Sequence, residues 1–188
     1  MQPLSTIGVM ERLRSDERVA VARLNALLEL LPTALDRHLA TVGLTSFEFT
    51  LLEALHEAEA HRLRLSALAS RTNATLPRLS RVVTGLERKG LVARVACERD
   101  GRATNAVLTT AGEHAFLESR PLYDGAVRQM ILDGLGDDGV ALLAELSYAI
   151  LTHLDPQRRL AVTAGHPGAA CPADPAPDAC PADPRTRL

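Results

Sequence analysis

Tryptophan is absent from this chain of 188 residues, and the aromatics number only five: Phe47, Phe49, Phe116, Tyr123 and Tyr148. That is too few for the stacking platforms with which proteins hold single-stranded nucleic acid. Cysteine is scarce as well. Three thiols, Cys97, Cys171 and Cys180, cannot all pair within one chain, which argues against a secreted disulfide scaffold. No run approaches the roughly 18 consecutive apolar residues of a membrane span. The opening residues Met1 to Thr6 lack a charged segment followed by an apolar stretch, so the expectation is a soluble, cytoplasmic protein without membrane association. The G-x-S-x-G elbow, the Walker loop, G-x-G-x-x-G and H-E-x-x-H are missing too, so no motif supports an enzyme.

What is present is an ordinary apolar share of 46%, enough for a real core. The length fits one domain with an appendage. The net charge of −2 hides a strong asymmetry. Between Arg62 and Arg102 ten basic residues face three acidic ones (Glu87, Glu98 and Asp100), while the rest of the chain holds 11 basic and 20 acidic. One surface is built for a polyanion, and the acidic remainder would repel DNA everywhere else.

The periodicity predicts an amphipathic helix over about 16–40, with Val19, Leu24, Leu27, Leu28, Leu31, Leu35 and Leu39 on one face and a kink or break near Leu31, ahead of Pro32. Thr45 and Glu48 form a capping box for a helix to about Ala58, burying Phe47, Leu51, Leu52 and Leu55. Ser66 is expected to cap a short helix holding Leu68 and Ala69. Thr72 to Ala74 makes a turn, and Thr75 caps a further helix with Pro77 in its first turn. Leu79, Val82, Val83 and Leu86 face inward there, and Gly90 closes it. Two strands follow, Leu91 to Val95 and Ala103 to Leu108, joined by a turn at Glu98-Arg99-Asp100-Gly101. Thr110 with Glu113 is expected to cap a helix toward Asp133, bent at Pro121, and Asp137 a last helix to about Leu154. Beyond Asp155 proline accumulates, and the hexapeptide ACPADP occurs at Ala170 and again at Ala179. Residues 156–188 therefore read as a disordered tail.

Two short helices joined by a tight turn and followed at once by a hairpin describe a winged helix-turn-helix. With the apolar stripe of the second helix turned inward, its outer face presents Pro77, Arg81, Thr84 and Arg88, flanked by Arg78 and Ser80. Arginine forks on such a face suit guanine edges, hydroxyls suit bases or phosphates, and the helix start at Thr75 offers N–H groups to a phosphate. Arg99 and Arg102 straddle the hairpin tip, where a wing reaches backbone or minor groove. A basic helix alone is usually a solvated face. The coincidence of helix pair, carboxylate-free groove face, basic hairpin tip and local positive surplus favours DNA binding instead.

At these residues the chain resembles the MarR family of bacterial transcriptional regulators. The likeness runs through LSALASRTNATLPRLSRVVTGLERKGLV, from Leu65 to Val92, and through the wing signature D-G-R-A followed by L-T-T-A-G, from Asp100 to Gly112. The resemblance implies a mainly α fold with a small β-hairpin wing. A regulator domain would occupy 1–155, with its DNA-binding lobe over about 45–110 and dimerisation helices over about 16–40 and 110–155. It implies a homodimer on an inverted-repeat operator in double-stranded DNA. Recognition-helix contacts fall on Thr75, Pro77, Arg78, Ser80 and Arg81, and the wing arginine on Arg102, with Asp100 steadying the wing. It further implies a repressor released by a small aromatic or lipophilic effector, in a crevice near His38, Phe47 and Phe49.

Other readings remain beside this one. Cys97, close in sequence to Arg94, Glu98 and Arg99, is either a redox-responsive thiol or a strand residue of the wing. Glu57 and His61 stand at i, i+4 and His56 and His61 at i, i+5, which splits them across the helix end. Neither pair has a third ligand at zinc spacing, so neither metal nor cofactor is expected. A winged helix used only as a protein-interaction module is the rival function, and it would not need a face of arginines.

Overall fold

The computed structural model describes residues 12–97 and 100–164. Helix α1 (Ser15–Leu39) opens the chain. Residues up to Ala34 form one unit and those from Leu35 a second. In the first unit α1 leaves Val19, Leu24, Leu27 and Leu28 exposed. Of the kink or break expected near Leu31, a break does not occur: the helix continues through Pro32 to Leu39. A proline removes one backbone hydrogen bond, and a helix of 25 residues keeps the others.

In the second unit the order is α2 (Ser46–His56), β1 (Arg62–Arg64), α3 (Leu65–Arg71), α4 (Leu76–Arg88), β2 (Val92–Cys97), β3 (Asp100–Leu108), α5 (Thr110–Val127), α6 (Gly136–Leu154) and α7 (Ala161–Ala164). The chain is thus mainly helical with a small antiparallel sheet, ordered β1-β3-β2. Strand β1 has no counterpart in the sequence reading. Its three residues are too few to show alternation, and pairing with Asn105, Ala106 and Val107 creates it. Leu39, Leu52, Leu68, Leu79, Leu86 and Phe116 are fully buried in one core. Phe49 joins α2 to α5, its ring 4.1 Å from Tyr123 and 5.4 Å from Phe116, centre to centre.

The capping box of α2 forms as expected, Thr45 Oγ1 accepting from Glu48 N and Glu48 Oε2 from Thr45 N. The helix ends at His56, and Phe47 is only half-buried whereas Phe49 is fully buried. Other predicted caps shift. Strand β1 runs directly into α3, so extended Arg64 is the N-cap and Ser66 lies inside the first turn. Thr109, not Thr110, caps α5: its N–H donates to Leu91 O, its hydroxyl donates to Gly90 O and accepts from Gly112 N. Anchoring to the chain that leaves α4 fixes the helix start one residue early. Leu135 precedes α6, with Asp137 in the first turn, where the helix dipole favours an acid without capping. Asp100 and Gly101 belong to β3 rather than to a turn; Cys97 pairs with Asp100 across an irregularity in the ladder. Helix α5 continues through Pro121 and passes into a π-helical turn at Arg128–Leu132, with Asp133 N donating to Arg128 O.

The segment after Asp155 is structured as far as Ala164, beyond the boundary drawn from proline content. Asp155 accepts hydrogen bonds from Arg159 N, Leu160 N and the Thr163 hydroxyl, and Ser70 of α3 donates to Arg159 O. The bonds from Thr163 and Leu160 hold the Asp155 carboxyl below the usual aspartate range. This attachment is complete above the ordinary aspartate value and is lost as pH falls through the depressed one. Acidification below about pH 4 is expected to release residues 156–164, seen as shifts of the Leu160 and Thr163 amide signals with those of α4 unmoved. Unchanged signals through that range would refute the attachment.

Candidate nucleic-acid interface

Helices α3 and α4 are joined by a turn that their own residues close. Thr72 Oγ1 donates to Leu68 O, Ala74 N donates to Ala69 O, and Asn73 takes the left-handed conformation that asparagine tolerates. Helix α4 then buries Leu79, Val83 and Leu86 and half-buries Val82. It ends in a Schellman arrangement, Gly90 at φ +73° with Gly90 N donating to Glu87 O and Leu91 N to Leu86 O.

The opposite face is solvent-facing. Thr75, Pro77, Arg78, Arg81, Thr84 and Arg88 are exposed, and Ser80 is half-buried. Thr75 occupies the N-cap position without a side-chain cap bond. The Arg78 guanidinium lies over the Phe47 ring, 4.3 Å from its centre, a contact that favours one direction for a long and otherwise loose cation. Arg81 Nε reaches Pro77 O at 3.4 Å, at the limit of a hydrogen bond. Glu87, the only carboxylate of α4, is turned toward Arg94 of β2 at 2.8 Å. Not all of the local positive charge is therefore available to a ligand: Arg71 pairs with Glu57, Lys89 with Glu48 and Arg94 with Glu87. The exposed face carries its charge on Arg78, Arg81 and Arg88.

Lys89 does more than pair. Its ammonium donates to both Glu48 oxygens and to Gly43 O, linking the end of α4 to the capping box of α2. Neither this link, the Phe47–Arg78 contact, nor Arg94 was singled out from sequence. Of the three, Arg94 left a signal: Ser80, Thr84 and Glu87 recur at i, i+4 and i+7 beside a strand arginine.

In the wing, β2 and β3 pair from Val92 with Leu108 to Ala96 with Thr104 before the irregularity. Arg99 lies outside the described residues. Cys97, Asp100 and Arg102 are described by their backbone, at the distal end of this ribbon.

The three expected effector residues do not share one environment. Phe49 is core, Phe47 lies under Arg78, and His38 is exposed on the last turn of α1. Beside Phe49, burial pushes the Glu53 carboxyl above its ordinary range and, with the Glu53 charge, raises the Tyr123 phenol. The His56 and His61 rings stack 5.4 Å apart. Among the described residues no three metal-ligating side chains converge, and no helix is long and apolar enough to cross a membrane.

Residues 42–103 match the MarR family. A transcriptional repressor of the helix-turn-helix type from Bacillus subtilis, YetL, is 31% identical over 115 residues, covering 60% of this chain and 69% of that protein. AbsC, a MarR family regulator from Streptomyces coelicolor, superposes with a TM-score of 0.74 at 32% identity, over 79% of this chain and all of that one. Sco3205 from the same organism, solved in complex with DNA, gives 0.76 at 31% identity, over 79% of this chain and 94% of that one.

Proposed function

This chain belongs to the MarR family of transcriptional regulators, and from that premise we propose that it is a homodimeric repressor reading an inverted repeat in double-stranded DNA. The outer face of α4 carries this reading: three exposed arginines with the one acid of the helix turned away. Arg78 and Arg81 address base edges in the major groove, where an arginine fork matches guanine. Thr75, Pro77 and Arg88 hold the helix on the backbone, and Arg99 and Arg102, steadied by Asp100, serve the wing. The regulator domain is proposed over 1–155, with its reading lobe at about 45–110 and with residues 156–164 tied back to it through Asp155 and Ser70. No catalytic chemistry is assigned. A protein-interaction module would have no use for such a face.

Dimerisation is proposed through α1 and α6. In the second unit α6 exposes Leu143, Leu146, Ile150 and Leu154, a stripe at helical spacing. In the first, α1 exposes Val21, Leu24 and Leu28 at the same spacing. A small aromatic or lipophilic effector would bind in the surroundings of His38 and Phe47, which reach the surface, while Phe49 belongs to the core.

Changing Arg81 or Arg102 to alanine is expected to weaken specific binding by about 1–3 kcal/mol each, the former with relaxed base preference. Gel shifts on the chain's own upstream DNA, or on duplexes selected from random sequence, measure this. Full-strength binding by the double variant would sink the interface.

A further inference from the structure

Resting on that DNA-reading role, we infer that Arg94 is the positioning residue of the reading face: it fixes α4 against the wing and takes Thr84 out of base and phosphate donation. Arg94 is the third residue of β2, opposite Ala106. Its Nη1 donates to Thr84 Oγ1 at 3.0 Å and to Glu87 Oε2 at 2.8 Å. Its Nη2 donates to Ser80 O at 2.8 Å and to Ser80 Oγ at 3.2 Å. Its backbone N–H donates to Glu87 Oε1 at 3.1 Å, so that carboxylate is held by main chain and side chain of one residue. Two turns of α4 are thus tied along a single stripe to one strand residue. A planar fork achieves this and a lysine ammonium does not, because its donors are not fixed in a plane.

Two chemical consequences follow. Thr84 Oγ1 donates its one proton to Ser80 O at 3.0 Å while accepting from Arg94. It has no proton left for a phosphate oxygen or for guanine, both of which only accept at that edge. Arg94 for its part is balanced by Glu87 and three-quarters buried, so it displaces no counterion when DNA binds. Base discrimination then falls on Arg78 and Arg81, held in register by a residue that touches no nucleotide.

The test uses the full chain. A duplex is selected from a random library by the unmodified protein, then titrated together with its single-base variants at several salt concentrations. The same is done for Arg94→Ala, Arg94→Lys and Thr84→Val. Arg94→Ala is expected to lose about tenfold or more in affinity for the selected duplex and to flatten the ranking of single-base variants, with the salt slope kept. Arg94→Lys, keeping charge without the fork, falls on the same side. Thr84→Val keeps the ranking. A salt slope reduced by about one in Arg94→Ala overturns the inference, since that marks a phosphate contact. An unchanged ranking in Arg94→Ala overturns it equally, as does an altered one in Thr84→Val. Amide exchange from Ser80 to Glu87 in the free protein gives a reading without DNA: faster exchange in Arg94→Ala supports the role, and unchanged exchange overturns it. Enrichment of nothing by the unmodified chain removes the DNA-reading role itself, and this inference with it.

Discussion

Gly112→Ala is expected to lower stability by about 3 kcal/mol, at the upper end of overpacking costs. Position 112 is the third residue of α5, where helix propensity taken alone would favour alanine by about 1 kcal/mol. Packing reverses the sign. A Cβ there would stand 2.0 Å from Leu91 O and 2.8 Å from a Leu108 methyl. The nearest atom is backbone, and it already accepts from Thr109 N at 3.1 Å. To make room, the junction at which the chain leaves α4 and the wing hands over to α5 would have to open. A thermal melt should fall by about 6–12 °C for a chain of this size. A midpoint equal to or above that of the unmodified protein would mean that the junction yields easily and that propensity governs.

The double change Leu143→Glu, Leu146→Glu is expected to leave a folded monomer that has lost nearly all operator affinity. Both leucines are 39–55% exposed in the single chain, so charges there meet water until a second copy approaches. In the dimer they would be buried and unpaired in both copies, which costs several kcal/mol in all. Without the partner, each reading head binds its half-site alone and loses the effective concentration that tethering supplies, about 10²–10⁴ in affinity. Sedimentation and DNA titration on the same sample test this. A dimer of unchanged affinity would move the interface off α6.

How much of this was legible depended on the range of the interactions involved. The apolar stripe Leu79, Val83 and Leu86, the Thr45–Glu48 box and the Gly90 stop are written within a turn or two of sequence, and the structure carries all three. Thr109 displaced Thr110 as the cap of α5 because its partners, Gly90 and Leu91, come from the far side of the wing. Local pattern contains no trace of them. The aspartate-glycine pair at 100–101 reads as a turn in isolation, yet β3 begins at Asp100, which pairs with Cys97 across the irregularity. Charge counting had the same limit. Arg71 and Lys89 are neutralised by Glu57 and Glu48, acids lying before the basic segment, so the segment's surplus overstated what the exposed face offers. Arg78, Arg81 and Arg88 were readable because the surface of a helix follows from its own periodicity.

Strand β1 also bears on how the protein is made. Residues 62–64 find their partners only at 105–107, so α3, α4 and β2 all lie within a loop that a late segment closes. A ribosome delivers the two helices well before the strand that fastens them, at about 5–20 residues per second. Until Leu108 has left the exit tunnel, the reading helices carry exposed leucines and an unpaired strand edge. A chain stalled or cleaved within the wing would therefore be a target for chaperones and proteases rather than a smaller DNA-binding fragment.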